Sequence, residues 1–199
     1  MKMLLFSDVH CNVNICELLV EKSKDVDIVI GAGDFAQFRQ GLDISIEVLK
    51  LIKKPTILVP GNSESFEELL DESKDWKEAN VLHGGGILVN DHNFYGVGGG
   101  IPITPFGDWS YDFNEEEAKE LLSGCPTGGI LVTHSPPKEV VDKSSFGKNL
   151  GSTSIRETIL EKSPLLVVCG HIHESSGNHD KLGNSVVINA GPKGIIWEV

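Results

Sequence analysis

Short apolar runs alternate with helix-like segments in the N-terminal part of the chain. The runs 3–7, 26–30 and 56–59 are apolar at most positions, as is typical of strands buried on both faces of a parallel sheet. The segments between them place apolar residues at the spacing of an amphipathic helix. These residues are Ile15, Leu18 and Leu19 in the first segment and Leu42, Ile46, Leu49 and Ile52 in the second. The order strand–helix–strand–helix–strand predicts a parallel sheet with right-handed crossovers.

Shorter strands and longer loops follow. We predict strands at 86–90, 93–97, 129–133, 165–169, 185–189 and 194–199, and helices at 114–122 and 154–162. The last two strands are expected to form a closing antiparallel hairpin, and 135–153, which is rich in proline and glycine, is expected to be a long surface loop. The loop after residue 97 carries aromatic residues that either pack it down or line a pocket. They are Phe106, Trp109, Tyr111 and Phe113.

Local signals mark the starts of helices but no boundary between domains. Asn12 and Asn114 are predicted N-caps, and either Ser63 or Ser65 is predicted to cap the helix after 56–59, with Glu64 in its first turn. The chain contains no repeat, low-complexity tract or linker. Residues 1–199 are therefore predicted to form a single domain.

Five of the apolar runs end in residue types that bind metal ions. These residues are Asp8, His10, Asp34, Asn62, His134, His171 and His173. Because the carboxyl ends of parallel strands meet at one edge of a sheet, we expect these side chains to lie close together. Each has an ordinary explanation when taken alone, such as a turn for Asp34 or a helix cap for Asn62. Their recurrence at five strand ends of one chain favours a metal site.

The mixture of imidazole and oxygen ligands suits Mn²⁺, Fe or Zn²⁺ and is too rich in nitrogen for a calcium site. Seven ligands exceed the needs of one tetrahedral ion with an open position, and they suit two ions bridged by a carboxylate such as Asp34. Such a pair activates water for hydrolysis of phosphate esters, and the neutral amide of Asn62 would add no charge that repels phosphate. The remaining histidines, His83, His92 and His179, are expected at the surface.

The charge balance restricts the partners. The chain has 29 acidic residues against 17 Lys and Arg, a net charge of −12, which disfavours non-specific binding to nucleic acid or to an anionic membrane. A nucleotide in a metal-lined pocket remains open, because bound dications reverse the local field. No apolar run approaches membrane-spanning length, no signal peptide is recognised, and the four cysteines form no CxxC pair. We therefore expect a reduced, cytoplasmic protein of undetermined oligomeric state.

The ligand-bearing stretches resemble the signature of the calcineurin-like metallophosphoesterases, which is D-x-H, G-D, G-N-[HD], a single H and G-H-x-H. The matching stretches are Asp8-Val9-His10, Gly33-Asp34, Gly61-Asn62, His134 and Gly170-His171-Ile172-His173. The resemblance implies an α/β fold, a four-layer αββα sandwich of two mixed β-sheets flanked by helices, with two divalent metal ions at the strand ends. It further implies one ion held by Asp8, His10 and His173, another held by Asn62, His134 and His171, and Asp34 as the bridge.

One position departs from that family's pattern. Many members place His or Asp after the Asn, and the His is taken to stabilise the transition state and to protonate the leaving group, whereas this chain has Ser63. Serine is a poor general acid at neutral pH. Either His10, Glu64 or a serine of the 135–153 loop donates the proton, or the substrate has a good leaving group, or turnover is slow.

Two functions follow from the sequence. The first is a dinuclear metal-dependent phosphoesterase that hydrolyses a small phosphodiester or phosphomonoester, nucleotides included, with Asp34, His10 and Asn62 as catalytic residues. The departure at Ser63 slightly favours diesters or activated esters. The alternative is a catalytically weak or inactive binding or scaffold protein of the same fold, against which the full ligand set argues. A serine esterase is disfavoured because the chain has no G-x-S-x-G motif.

Overall fold

A computed structural model describes all residues, 1–199, and shows two β-sheets packed face to face with helices on both outer faces. The elements in chain order are β1 (Lys2–Phe6), α1 (Val13–Ser23), β2 (Ile28–Gly31), α2 (Leu42–Leu49), β3 (Thr56–Leu58), α3 (Phe66–Glu72), β4 (Ala79–Val81), β5 (Gly85–Val89), β6 (His92–Val97), α4 (Glu115–Leu122), β7 (Ile130–Thr133), α5 (Thr153–Lys162), β8 (Leu166–Cys169), β9 (His179–Leu182), β10 (Ser185–Asn189) and β11 (Ile195–Glu198). No helix combines the length and the apolar character that a membrane crossing requires.

The alternation of side chains along each buried strand builds the layers. In β1, Met3 and Leu5 point into the core between the two sheets, whereas Leu4 and Phe6 point towards the helices α1 to α3. The outer face of the other sheet packs against α4 and α5. Burial of one such Leu side chain contributes about 2 kcal/mol. The four-layer αββα sandwich of two mixed sheets is thereby confirmed.

Both sheets are mainly parallel. The first has the strand order β11-β1-β2-β3-β4, with only β11 antiparallel, and the second has the order β5-β6-β7-β8-β10-β9, with β5 and β9 antiparallel at its edges. The predicted parallel pairing of the first three strands is confirmed. The carboxyl ends of β1, β2 and β3 face those of β7 and β8 at one edge of the molecule.

The predicted closing hairpin is wrong. β10 lies between β8 and β9 in the six-stranded sheet, whereas β11 pairs antiparallel with β1 in the other sheet, with Leu5 opposite Ile195. β10 instead forms its antiparallel pair with β9, and only β11 extends the edge of the other sheet, beside β1. Which strands pair depends on contacts between segments distant in sequence, and the local hydrophobic pattern carries no information about them.

The short edge strands β4 and β9 were not predicted from the sequence pattern. β4 has three residues and β9 reads His-Asp-Lys-Leu, which is polar because an edge strand faces solvent. The turn between β5 and β6 is Asn90-Asp91, one residue earlier than predicted. Both of its residues have left-handed φ angles, 49° and 62°, as a two-residue type I′ turn requires.

The prediction of a surface loop at 135–153 is wrong at both ends of the segment. Residues 135–137, Val140, Asp142 and 151–152 are buried, and only 143–150 is largely exposed. The Asp142 carboxylate accepts hydrogen bonds from the amides of Glu139 at 3.0 Å and Gly151 at 2.8 Å. These bonds fold the ends of the segment back onto the protein.

The predicted helix caps are confirmed. The side chains of Asn12 and Asn114 accept hydrogen bonds from the first turns of α1 and α4. Of the two serines considered for α3, Ser65 forms the cap, in a capping box with Glu68. Glu64 therefore precedes the helix and is not in its first turn.

Candidate metal centre

The loops after five strands converge at one edge of the molecule. Backbone hydrogen bonds tie them in pairs: the amide of Asp8 donates to Gly33 O at 2.9 Å, and the amide of Gly170 donates to His134 O at 2.9 Å. The amide of His171 donates to the Asp8 carboxylate, 3.1 Å from Oδ1, and joins the two sheets. The strand ends that were predicted to meet therefore do so.

Several of the candidate residues have strained backbones. Their φ angles lie in the left-handed region, at 57° for Asp8, 44° for His10, 58° for Asp34 and 67° for His171. Such conformations cost non-glycine residues about 1–3 kcal/mol each, and they persist where the surrounding structure fixes them, commonly at functional sites. Here they turn each side chain inwards immediately after its strand ends.

Asp34 lies at the middle of the group. Its Oδ2 is 3.6 Å from His10 Nε2, and its Oδ1 is 3.5 Å from His134 Nε2. The carboxylate is buried, and the amide of Ser63 donates to Oδ1 at 2.8 Å. One carboxylate thus faces histidines that come from different sheets.

Asp8 lies beside a second pair of histidines. Its Oδ1 is 3.5 Å from His173 Nε2, which is 3.2 Å from His10 Nε2. The ligand atoms of Asp8, His10 and His173 all lie within 4.8 Å of one another, and so do those of Asp8, Asp34 and His134. Asp8 therefore belongs to both sets, and each set is compact enough to hold one cation.

The two remaining candidates adjoin His134. Asn62 Oδ1 is 3.3 Å from His134 Nε2, and the rings of His134 and His171 meet edge to face with centroids 4.9 Å apart. The contacts thus form one continuous group that contains all seven candidate residues.

Hydrogen bonds fix the tautomers of two of the histidines. The Nδ1 of His10 is 3.0 Å from Ala36 O, and the Nδ1 of His134 is 2.8 Å from Ala32 O. A carbonyl accepts only from an N–H, so in the neutral rings Nε2 carries a lone pair. Those lone pairs face carboxylate and amide oxygens, which supply no proton. A proton or a metal ion between the facing atoms would stabilise this arrangement, and the set of nitrogen and oxygen donors fits divalent metal ions.

The electrostatics of the site favour that interpretation. Burial, together with the neighbouring His134, lowers the pKa of His171 to about 3, which keeps its ring neutral and able to bind a metal. Burial would raise the pKa of Asp8, but the hydrogen bond from His173 and the charge of His134 outweigh it and lower the value to about 2. Burial lowers the pKa of His134, yet Asp34 and Asp8 outweigh it and raise the net value. The carboxylates therefore draw positive charge to this point.

A hydrogen-bonded relay orients the Asn62 side chain. Its Nδ2 donates to Ser110 Oγ at 3.0 Å, and that hydroxyl donates to Asp112 Oδ1 at 2.8 Å. Thr104 Oγ1 donates to the other oxygen of Asp112 at 2.6 Å. Because the amide nitrogen is held by Ser110, the amide oxygen points at His134. Sequence reasoning missed Ser110 and Asp112, because neither lies at a strand end.

Glu64 braces the ends of β2 and β3. Its carboxylate accepts hydrogen bonds from the amides of Asp34 at 2.8 Å, Ala36 at 2.9 Å and Gly61 at 2.6 Å. Burial and the nearby charge of Asp34 raise the pKa of Glu64 to about 7. Its oxygens are occupied by backbone amides, so the side chain is not placed to protonate a leaving group. No local signal in the sequence indicates this role.

The other proposed proton donors occupy different places. A cavity of about 670 Å³ opens over the candidate ligands, and His10, Ser144 and Ser145 line it. Ser135 is fully buried, where its hydroxyl accepts from the amide of Ile101 at 2.8 Å. Ser135 is therefore separated from the cavity.

His83 is only partly exposed, and its ring is packed against other aromatic rings instead of lying free at the surface as expected. Its Nδ1 accepts from the amide of Gly98 at 3.1 Å, and its ring packs among Phe66, Tyr111 and Phe113. Burial lowers the pKa of His83. Two aromatic residues of the long loop therefore pack inwards. His179 is exposed, as predicted, and His92 is partly exposed.

The sequence matches a known family over nearly its whole length. Residues 1–197 match the model of the calcineurin-like phosphoesterase superfamily domain. One relative, uncharacterized protein MJ1162 of Methanocaldococcus jannaschii, is 31% identical over 186 residues, which cover 87% of this chain and 82% of that protein.

Solved structures share the fold. The crystal structure of TT1561 of Thermus thermophilus has a TM-score of 0.79 at 21% identity, covering 96% of this chain and 90% of that chain. A dimetal phosphatase from Danio rerio has a TM-score of 0.60 at 13% identity, covering 95% and 86%. At these identities the likeness shows the architecture alone.

Proposed function

Since the chain belongs to the calcineurin-like phosphoesterase superfamily, we propose that it is a dinuclear metal-dependent phosphoesterase that hydrolyses a small phosphodiester or phosphomonoester. One observation carries the proposal. The Nε2 atoms of His10 and His134 face the Asp34 carboxylate at 3.6 and 3.5 Å, an arrangement that a cation stabilises. The chemistry is thus argued from the site and not from the fold alone.

In this proposal the seven candidate residues hold two ions. Asp8, His10 and His173 would bind one ion, Asn62, His134 and His171 the other, and Asp34 would lie between them. Two divalent ions supply Lewis acidity towards phosphoryl oxygens and lower the pKa of a water molecule towards neutrality. Mn²⁺, Fe and Zn²⁺ suit this set of nitrogen and oxygen ligands.

The chain's own residues position the ligands and the substrate. Ser110 holds the amide of Asn62, and the carbonyls of Ala36 and Ala32 hold the rings of His10 and His134. Asn62 is neutral, so the face that receives an anionic phosphate gains no negative charge from it.

The protonation of the leaving group sets the expected substrates. Ser63 is among the residues that line the cavity, but its hydroxyl is a poor acid, and Glu64 and Ser135 are engaged elsewhere. We therefore propose a preference for diesters or activated esters, whose leaving groups depart without full protonation.

The test is hydrolysis of bis(p-nitrophenyl) phosphate and p-nitrophenyl phosphate, side by side, with Mn²⁺ and with a chelator. We expect chelator-sensitive turnover, faster for the diester, that is lost in Asp34→Asn and kept in the matched control Asp180→Asn, whose side chain is exposed on β9. Turnover that survives in Asp34→Asn would contradict the mechanism. Bound metal without turnover of either ester would favour the binding or scaffold alternative.

A further inference from the structure

The cavity over the candidate metal centre extends well beyond the ligands. It encloses about 670 Å³, within the range of sites that bind small organic molecules. His10, Asp34, Asn62, His171 and His173 all line it. An ester phosphorus at these residues would place the organic part of the substrate in the rest of the cavity.

An aromatic cluster forms one wall. The rings of Phe106 and Trp109 lie nearly parallel, at 12°, with centroids 5.6 Å apart, and Phe38 meets Trp109 edge to face at 5.0 Å. Phe38 is nevertheless 58% exposed and Phe106 50% exposed. The rings are thus held in a defined arrangement with much of their surface uncovered, as at a site that a ligand completes.

The charge of the lining restricts what binds there. Lys148 is the only Lys or Arg among the lining residues, and Glu174 lies on the same lining. A second phosphate would need a larger excess of positive charge. Apart from Lys148, Glu174 and the candidate ligands, the polar lining residues are neutral, with Gln37, Thr104 and Ser144 among them, and they suit the edge of an uncharged ring.

From these observations we propose that the cavity binds an uncharged, planar aromatic group of the phosphoester on the cluster of Phe38, Phe106 and Trp109. Phe106, which is half exposed and stacked on Trp109, offers an open ring face to such a group. The inference rests on the proposed function, since it takes the phosphate to lie at the candidate ligands. It assigns the substrate class as aryl or heteroaryl phosphoesters, in preference to compact or aliphatic ones.

The test is equilibrium binding, because binding is separable from turnover. Phenylphosphonate, cyclohexylphosphonate and methylphosphonate carry the same anionic head and differ only in the organic group. We expect the Mn²⁺-loaded protein, titrated by calorimetry, to bind the phenyl compound about tenfold more tightly than the methyl compound, and more tightly than the cyclohexyl compound. The order separates an aromatic site from one that is merely apolar.

Substitutions locate the effect. Phe106→Leu keeps an apolar side chain but removes the ring, and we expect it to abolish the preference for phenyl over cyclohexyl while methylphosphonate binds as before. Leu88→Ala, an exposed apolar position on the edge strand β5, is the control and should change nothing. Equal affinities for the three phosphonates, a cyclohexyl compound that binds as well as phenyl, or an unchanged preference in Phe106→Leu would overturn the inference.

Failure of the inference is distinguishable from failure of the proposed function. A protein that prefers phenylphosphonate but hydrolyses no ester would keep the aromatic site and lose the phosphoesterase function. A protein that hydrolyses esters by a chelator-sensitive reaction but shows no preference for the aryl group would lose only the aromatic site.

Discussion

At the scale of single residues, the function depends on which atom each side chain presents to the site. Asn62 presents its oxygen because Ser110 binds its nitrogen at 3.0 Å. Ser110→Ala removes this restraint and leaves Asp112 without one of its donors. Substitution of a residue that hydrogen-bonds a metal ligand commonly weakens metal binding by about 10–100-fold. We therefore expect Ser110→Ala to weaken Mn²⁺ binding within that range, as measured by titration calorimetry.

Ser145→Ala is the matched control for Ser110→Ala. Ser145 lines the cavity over the candidate ligands but makes no side-chain hydrogen bond to any of them, whereas Ser110 binds Asn62. Unchanged Mn²⁺ affinity in Ser110→Ala, or an equal loss in both variants, would argue against the positioning role of Ser110.

At the scale of elements, the end of β8 approaches the loop after β1 so closely that Gly170 has no room for a side chain. A Cβ at this position would overlap the Asp8 carboxylate and the Ser7 hydroxyl. We expect Gly170→Ala to lower the free energy of unfolding by about 1–3 kcal/mol, as overpacking does, and to weaken Mn²⁺ binding through Asp8. Urea unfolding and metal titration measure the two effects.

Gly85→Ala, where an added Cβ would meet no other atom, is the control for Gly170→Ala. Unfolding of Gly170→Ala at the wild-type urea concentration would show that the strand ends tolerate separation.

A carboxylate from one helix caps the next. Glu115 of α4 accepts hydrogen bonds from the amides of Thr153 and Ser154, both at 2.9 Å, at the start of α5. Burial would raise the pKa of Glu115, but hydrogen bonds from Ser154, Ser152 and Thr153 outweigh it and lower the value. A carboxyl group whose pKa is lower in the folded state stabilises the fold at pH values above its pKa in the unfolded state. That stabilisation is lost as the pH falls through its pKa in the folded state. We expect Glu115→Gln to cost about 1 kcal/mol at pH 7, with a smaller difference from wild type below about pH 4. A cost in Glu116→Gln as large as in Glu115→Gln would contradict the capping role.

At the scale of the whole molecule, the candidate ligands span residues 8 to 173 and come from both sheets. Metal binding therefore links strands that only the folded state brings together, and it should stabilise the entire fold. At a free Mn²⁺ concentration 100 times the dissociation constant, this linkage is worth about 2.7 kcal/mol. For a chain of this length we expect a chelator to lower Tm by roughly 5–10 °C, measured by calorimetry. An equal shift in Asp34→Asn would place the bound metal elsewhere.

The site residues were predictable from the sequence because they follow apolar runs at the ends of parallel strands, where the topology brings them together. The caps at Asn12 and Asn114 were predictable because a cap is a local signal. Ser110 and Glu64 were not, since their roles depend on contacts with segments distant in sequence. The partner of β11 was mispredicted for the same reason.

The most direct test of the metal centre is the number of Mn²⁺ ions bound per chain, measured by titration of the metal-free protein. We expect about two ions for the wild type and weaker or incomplete binding for Asp34→Asn, because the Asp34 carboxylate faces both halves of the site. Binding of no ion by the folded wild-type protein, or full and equally tight binding by Asp34→Asn, would contradict that expectation.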